Sequence, residues 1–343
     1  MKRSIIGLAL AALVCMPLMA NGQGETTGST AATTATTKPI VMKIGHSFSE
    51  DTARQKALEN FAATVKEKSN DRIEVEIYPS GQLGTEMQML ESVKMGSLEG
   101  VQFGPFEDAS PKLLVFTMPF LFSDMDQVHK VTRSDFTTEL VKATEVNGLK
   151  VLAVGDSGEF RQFTNNVRPI TKPADLKGLK MRTPPMDSIV KIMNALGGNP
   201  VSIPFSELYM ALKTGVADGE ENPLTNIESK KLYEVQKYLT MANYQYHAEM
   251  LYVNLDWFNG LDQDLQDILV SAAKDSMLIM DNLLHEDTMS SYTVLKDKMI
   301  VNTFTDAQRE MFIKACQPVY DYYIEQGVIT ADEIEEIRNI ANN

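Results

Sequence analysis

The sequence predicts an α/β protein that divides into two lobes, each with a largely parallel sheet. Apolar residues alternate over 40–45 and 73–77, as in half-buried strands, whereas 53–68 carries them at helical spacing. Residues 87–94 give a second helix and 100–103 a third strand. Such alternation of strand and helix is typical of parallel α/β layers. A second series of the same kind begins near the middle of the chain, which is why we expect two lobes.

The second half of the chain also predicts one very long helix. Residues 261–317 contain neither glycine nor proline, and apolar residues recur at helical spacing over at least the first half of this span. Residues 300–304 then predict a strand. Thr305 and Gln308 have the spacing of a capping box, which indicates that a closing helix begins after them.

Residues 200–223 predict a strand, a short helix and an irregular segment, in that order. Pro204 ends the strand, Ser206 is the candidate N-cap of the helix, and Gly215 ends it. Asn222 precedes a proline, which favours an extended backbone at Asn222. We therefore expect Asn222 to present its side chain from a fixed position.

The amino-terminal residues predict export from the cytoplasm. Lys2 and Arg3 precede an apolar stretch that ends at residues 18–20 with a loose small-residue cleavage site. We therefore assign residues 1–20 as a signal peptide and residues 21–39, rich in Thr, Ala and Gly, as a flexible linker. Since no other stretch approaches 18 uncharged apolar residues, we expect a periplasmic protein that does not cross the membrane.

Two cysteines decide whether the mature chain can be attached to a lipid or cross-linked by a disulfide. Cys15, near the end of the apolar stretch, is a candidate for lipid attachment, and the linker that follows suits a membrane tether. The residues before it, 12–14, lack the small residue expected immediately upstream. Both alternatives, a lipid anchor at Cys15 and free secretion, stay open. Cys316 is the only other cysteine, so the mature chain cannot form an internal disulfide.

Composition and motifs argue against several classes of function. The chain has 32 Lys and Arg against 46 Asp and Glu, a formal net charge of −14, so bulk charge does not favour nucleic acid or anionic lipid. An anionic ligand would need individually placed arginines. The sequence has no nucleophile elbow, no paired metal-ligand motif and no phosphate-binding glycine loop, and its four histidines are scattered. We therefore expect neither an enzyme nor a bound cofactor or metal.

Ordered sequence blocks over about 200 residues resemble one family. The chain is similar to solute-binding proteins of tripartite ATP-independent periplasmic (TRAP) transporters, of the DctP type. The blocks are Tyr78-Pro-Ser-Gly-Gln-Leu-Gly84, Met118-Pro-Phe-Leu-Phe122, Arg161-Gln-Phe-Thr-Asn165, Ala174-Asp-Leu-Lys-Gly-Leu-Lys-Met-Arg182 and the segment from Pro204 to Pro223, continued by Tyr233-Glu-Val-Gln-Lys-Tyr238.

The resemblance implies a two-lobe periplasmic solute-binding fold with hinge segments and one long helix that spans both lobes. We expect lobe I to comprise 40–158 and 248–287, and lobe II to comprise 159–247 and 288–343. The ligand would be enclosed when the lobes close and then delivered to a membrane permease driven by an ion gradient. We expect a monomer whose partners are that permease and a small carboxylate.

The resemblance also assigns the residues that bind the ligand. Arg182 would pair with the substrate carboxylate, because a guanidinium presents a planar fork of donors that matches a carboxylate. Arg161 would be a second polar contact near the same carboxylate. Asn222 offers both a donor and acceptors, and Phe205 could stack on the carbon face of the ligand.

Four further candidates lie elsewhere in the sequence. Glu86 corresponds to a position where relatives present an acid or polar group to ligand hydroxyls. His46 and Ser47 end the first strand, where open α/β sheets place ligands. Tyr244 stands where relatives often have histidine, so the far end of the ligand is left open.

The sequence therefore predicts a binding protein for a small organic acid, with a sugar acid and a C4-dicarboxylate as the leading classes. A solute sensor or a binding protein of an ATP-driven importer stays open as an alternative. A secreted carbohydrate-active enzyme that uses Glu86 or Glu221 is the alternative from another class.

Overall fold

Nine strands form one sheet in the computed structural model, which describes residues 38–343. The strands are β1 Ile40–Gly45, β2 Ile73–Tyr78, β3 Gly100–Phe103, β4 Leu149–Asn165, β5 Lys180–Thr183, β6 Asn199–Ser202, β7 Gly219–Asn222, β8 Tyr238–Asn254 and β9 Ile300–Thr303. The helices are α1 Ala53–Lys68, α2 Glu86–Lys94, α3 Met125–Thr132, α4 Asp135–Leu140, α5 Asp187–Ala195, α6 Leu208–Lys213, α7 Leu224–Ser229, α8 Leu255–Asn259, α9 Gln263–Lys298, α10 Asp306–Glu325 and α11 Ala331–Asn342.

The sheet is mixed, which corrects the expectation of a largely parallel one. Its strand order is β2-β1-β3-β8-β4-β7-β5-β6, and β9 pairs with β8. Strands β1 to β3 form one parallel set, and β5 to β7 form a second. Between them lie β4 and β8, which are antiparallel to each other and to the neighbouring set on either side. Both strands are largely buried. Their sequences therefore lack the alternation of polar and apolar residues by which a half-buried strand is recognised over its full length.

The two central strands change register where they cross the middle of the molecule. The ladder between β4 and β8 is irregular between Asp156 and Phe160. Gly158 has a φ of 102° there, and an added Cβ would lie 2.6 Å from Oγ1 of Thr225. The lobe boundary predicted at residues 158 and 159 falls in this irregular segment. The ladder is thus interrupted between the two parallel sets of strands, where a hinge would need to bend.

Helix α9, 36 residues long, packs against elements on both sides of this irregularity. It lies on α1, which follows β1, and also on α7, which follows β7. Leu269 and Met280 belong to the apolar cluster that includes Ile44 and Phe61. Leu295 belongs to a separate cluster with Leu208. The prediction of one long helix is therefore confirmed, although it ends at Lys298.

Local sequence patterns predicted some helices correctly and placed the bounds of other elements wrongly. The helix predicted at 53–68 has those bounds, and the capping box of Thr305 and Gln308 is present. The N-cap predicted at Ser206 is wrong, because residues 205–207 form a 3₁₀ turn and α6 begins at Leu208. The segment predicted as irregular before Asn222 is strand β7, since pairing with β4 and β5 supplies its hydrogen bonds.

The described residues contain no helix that is long and apolar enough to span a bilayer. The predicted signal peptide, Cys15 and most of the predicted linker lie outside residues 38–343. Lipid attachment at Cys15 therefore stays a prediction.

Gly219 is the point of closest approach between β7 and β4. An added Cβ would overlap the carbonyl oxygen of Thr164, and it would lie 2.7 Å from Cβ of Asn165 and 2.8 Å from Sδ of Met181. We expect Gly219→Ala to lower the free energy of unfolding by about 1–3 kcal/mol, because a backbone atom cannot rotate away. Urea unfolding measures the change. Gly260→Ala is the control, since its Cβ meets nothing nearer than 3.4 Å; equal effects of the two substitutions would contradict this account.

Candidate ligand-binding site

A cavity lies where the carboxyl ends of the two parallel sets of strands face each other. Its walls include Phe48 after β1, Phe106 after β3, Pro184 after β5 and Phe205 after β6. Open α/β sheets bind ligands at this edge, because the loops that follow the strands converge there. The empty volume, which includes space open to solvent, is about 490 Å³.

The polar part of the cavity comes mainly from the central strands. Ser157 and Arg161 belong to β4, and His247 and Glu249 belong to β8. Ser157 and His247 lie within the irregular part of the ladder, and Arg161 and Glu249 flank it. The cavity therefore adjoins the segment where the molecule would bend.

Five of the eight predicted site residues line this one cavity. They are Glu86, Arg161, Arg182, Phe205 and Asn222. They span more than 130 positions of the chain, from Glu86 to Asn222, and only the folded sheet brings them together. The other three, His46, Ser47 and Tyr244, are buried behind the wall that the described residues form.

Arg182 is a buried cation that lacks a full set of partners. Its Nε donates to the carbonyl oxygen of Ile203 at 2.8 Å, whereas its Nη2 has no hydrogen-bond partner among residues 38–343. The side chain is 1% exposed. Burial lowers the pKa of Arg182 to about 10, so the guanidinium is still charged at neutral pH. A buried cation in this state favours an anion beside it.

Arg161, in contrast, is already paired with an acid of this chain. Its Nε and Nη2 donate to the two carboxylate oxygens of Glu221, and Nη2 also donates to Oδ1 of Asn222 at 3.2 Å. Tyr244 donates its hydroxyl to the same carboxylate at 2.6 Å and stacks on Phe163. Tyr244 thus fixes Glu221, and Glu221 neutralises Arg161. This arrangement leaves Arg161 less charge to offer a ligand than Arg182 has.

His46 and Ser47 are buried and do not line the cavity. The ring of His46 bonds to Oε1 of Gln55 at 2.8 Å through Nε2, and its Nδ1 accepts from the backbone N–H of Phe48 at 3.2 Å. Burial lowers the pKa of His46 to about 4, so the ring is neutral. Oγ of Ser47 has no hydrogen-bond partner in the described part of the chain. His46 therefore acts on the cavity by holding Phe48 in its wall.

Glu249 and His247 were missed by the sequence reasoning. Oε1 of Glu249 accepts from Nε of Arg54 at 3.3 Å, and Oε2 has no partner within residues 38–343. Burial raises the pKa of Glu249 and lowers that of His247 well below its usual value. A signal was present, since Gln245, His247 and Glu249 repeat at a period of two in a largely apolar part of the strand. Such a repeat places polar groups on one face of a buried strand.

Three atoms of the cavity-lining residues lack hydrogen-bond partners among residues 38–343, and we call them the open polar atoms. They are Nη2 of Arg182, Oε2 of Glu86 and Oε2 of Glu249. One is a donor on a cation and two are acceptors on carboxyl groups. Phe48, Phe205 and other apolar residues form much of the remaining wall. The cavity is thus complementary to a small molecule with an anionic group, hydrogen-bond donors and a hydrocarbon face.

Two α/β halves around a buried, hinge-adjacent cavity define the class of two-lobe solute-binding proteins. Within that class, the family described as bacterial extracellular solute-binding protein, family 7 (DctP), matches residues 44–326, and the chain belongs to it.

Relatives and solved structures agree with this assignment. The C4-dicarboxylate-binding periplasmic protein DctP of Rhodobacter capsulatus is 32% identical over 311 residues, which cover 89% of this chain and 92% of that protein. The 2,3-diketo-L-gulonate-binding periplasmic protein YiaO of Escherichia coli K12 is 29% identical over 317 residues, 91% and 96% of the two chains. The galactonate complex of the sugar acid binding protein DctPAm from Advenella mimigardefordensis has a TM-score of 0.84 at 29% identity, covering 89% and 98%.

Glu220, behind the cavity, makes folding depend on pH. It is fully buried, and its Oε1 accepts from Oγ1 of Thr164 at 2.8 Å. Burial raises its pKa from 4.5 to about 7. Because the folded state holds this proton more tightly than the unfolded state, the added stability is present below pH 4.5 and is lost as the pH rises through 7.

We therefore expect Glu220→Gln, which cannot ionise, to become more stable relative to the wild type as the pH rises from 4.5 to 7. The difference in free energy of unfolding should grow by about 3 kcal/mol over this interval. Urea unfolding of both proteins at intervals of one pH unit measures it. Other titrating groups are common to the two proteins and cancel in the difference, so parallel curves would contradict the assignment to Glu220.

Proposed function

We propose that this chain is the extracytoplasmic substrate-binding subunit of a TRAP transporter and that it captures a small hydroxylated monocarboxylic acid. The observation that carries the proposal is the buried, charged guanidinium of Arg182, whose Nη2 is among the open polar atoms. A ligand carboxylate would supply the missing partner in a bidentate pair. The names of the similar proteins give carboxylic acids as their ligands, which supports the same chemistry here.

Capture would proceed by closure of the two lobes. Phe48, after β1, and Phe205, after β6, meet with ring centroids 5.2 Å apart, and both line the cavity. These two rings come from opposite parallel sets, so their contact closes the cavity on one side. A ligand that touches both sets binds the closed state better than the open state, and that difference drives closure. Closure also removes water, which strengthens the attraction between Arg182 and a carboxylate.

The charges of the cavity favour a hydroxylated acid over a dicarboxylate. A first carboxylate would take Arg182. A second one would meet Oε2 of Glu86 or of Glu249, and Arg161 is already paired with Glu221. Like charges held in a buried site are costly, whereas hydroxyl groups could donate to both acids. Aldonates and uronates have a carboxylate, several hydroxyls and a C–H face for the phenylalanines, so we infer that the ligand is of this kind.

We infer that the protein binds its ligand without converting it chemically. It then transfers the ligand to a membrane permease. The support is the family itself, whose described role is extracellular solute binding. A periplasmic location accords with the periplasmic relatives and with the signal peptide predicted at residues 1–20.

Arg182→Ala should abolish most of the affinity for a sugar acid. Loss of one partner of a desolvated ion pair costs about 2–5 kcal/mol, so we expect D-galactonate to bind at least about 30-fold more weakly. Isothermal titration calorimetry measures this directly. Arg72→Ala is the matched control, because Arg72 pairs with Asp264 at the surface. If the wild-type protein binds D-galactonate and Arg182→Ala binds it with the same affinity, the proposed role of Arg182 is refuted.

Glu86→Gln should change selectivity in opposite directions for two ligands. We expect D-galactonate to lose about 3-fold to 10-fold in affinity, because a hydrogen bond to a charged acceptor becomes one to a neutral amide. Succinate should bind better, since a like charge is removed. Competition titrations with both acids give the ratio. Glu91→Gln, on the exposed side of α2, is the control, and a ratio that moves equally in both variants would contradict a ligand contact at Glu86.

A further inference from the structure

Arg54 contacts four residues of the cavity wall but does not itself line the cavity. It lies in the first turn of α1 and is 1% exposed. Its Nη2 donates to the carbonyl oxygen of Ser157 at 2.7 Å, its Nη1 to Oδ1 of Asn226 at 3.3 Å, and its Nε to Oε1 of Glu249 at 3.3 Å. The guanidinium carbon lies 3.8 Å from the ring centroid of Phe48.

All four partners line the ligand cavity, whereas Arg54 lines a separate cleft on the other side of the wall. The partners belong to four different parts of the chain: the loop after β1, strand β4, helix α7 and strand β8. One side chain therefore joins four segments that have no sequence continuity. Each segment places a polar or aromatic group in the cavity.

We propose that Arg54 is a positioning residue of the ligand site, which orients Glu249 and Asn226 towards the ligand and joins α1 to α7 in the closed state. The inference rests on the proposed function and deepens it. Helix α1 lies in predicted lobe I and α7 in predicted lobe II, so the bond from Arg54 to Asn226 would form only when the lobes close.

Arg54 and Asn222 together fix the orientation of Asn226. Because Arg54 donates to Oδ1 of Asn226, the amide nitrogen Nδ2 is turned away, and it donates to Oδ1 of Asn222 at 3.1 Å. That same oxygen accepts from Nη2 of Arg161. A relay of two amides thus links Arg54 to Arg161. Oδ1 of Asn222 requires a donor from Asn226, and Arg54 requires an acceptor, so the two bonds select the same orientation of the Asn226 amide.

The orientation of Glu249 follows in the same way. Arg54 takes Oε1, which leaves Oε2 as one of the open polar atoms of the cavity. Burial disfavours the ionised carboxyl, and the charge of Arg54 opposes this effect. The other charged or titratable groups near the pair are His46, Arg161, Tyr246, Tyr252 and, on the side of the cleft, Asp51, Glu228 and Asp287.

Arg54→Met tests the inference, because methionine keeps much of the volume and removes the charge and all five donors. We expect D-galactonate to bind at least about 30-fold more weakly by calorimetry, with Glu249 left buried without its cation. Arg54→Lys should recover part of the affinity, since an ammonium can still pair with Glu249. Arg72→Met is the control and should bind as wild type.

A double substitution separates positioning from a merely structural role. If Arg54 acts through Glu249, then Arg54→Met combined with Glu249→Gln should bind no more weakly than the weaker single variant, because both charges of a buried pair are removed together. Multiplied losses, or equal losses in Arg54→Met and Arg54→Lys, would overturn the inference. If Arg54→Met does not fold, two comparisons replace it. Arg54→Lys is compared with the wild type, and the double variant is compared with Glu249→Gln.

The result also separates this inference from the proposed function. A wild-type protein that binds no member of a panel of D-galactonate, D-glucuronate, D-erythronate and succinate would refute the proposed function. A wild type that binds D-galactonate while Arg54→Met binds it equally well would refute the positioning role alone.

Discussion

The antiparallel pairing of β4 with β8 is the constraint on which the rest of the structure depends. These two strands, 17 residues each, are the connection within the sheet between the two parallel sets. An uninterrupted ladder of that length would be stiff, and the register shift after Asp156 breaks it at the middle. The same break exposes Ser157 and Arg161 to the cavity. The predicted hinge and the polar floor of the site thus share one irregularity of the ladder.

The proposed ligand follows from the charge balance inside the protein. Buried ions are tolerated when they are paired, and two of the buried arginines are: Arg54 with Glu249, and Arg161 with Glu221. Arg182 has no salt-bridge partner in the part of the chain that the structure describes. A bound carboxylate would complete the balance. In this view the ligand is a structural element of the closed state as well as its cargo.

Sequence reasoning captured what local patterns encode and missed what the crossing strands bring together. Helix α1 was predicted with its bounds because its apolar spacing is local. Strands β4 and β8 were seen only in pieces, since burial on both faces removes the alternation that marks a strand. Arg182 was found through a family motif. Arg54 was not, because its hydrogen-bond partners lie 103 to 195 positions away, which no local pattern reveals.

The open polar atoms also bear on how often the lobes close without a ligand. In the closed arrangement Nη2 of Arg182 and two carboxylate oxygens lack partners among residues 38–343, whereas in an open cleft water could reach all three. A net cost of about 3 kcal/mol, modest for buried charged groups, would hold the closed fraction below roughly 1%. A ligand that satisfies all three removes the cost, but one that satisfies only Arg182 leaves Oε2 of Glu86 and Oε2 of Glu249 without partners. We therefore expect the same three atoms both to favour a hydroxylated acid and to oppose closure without a ligand.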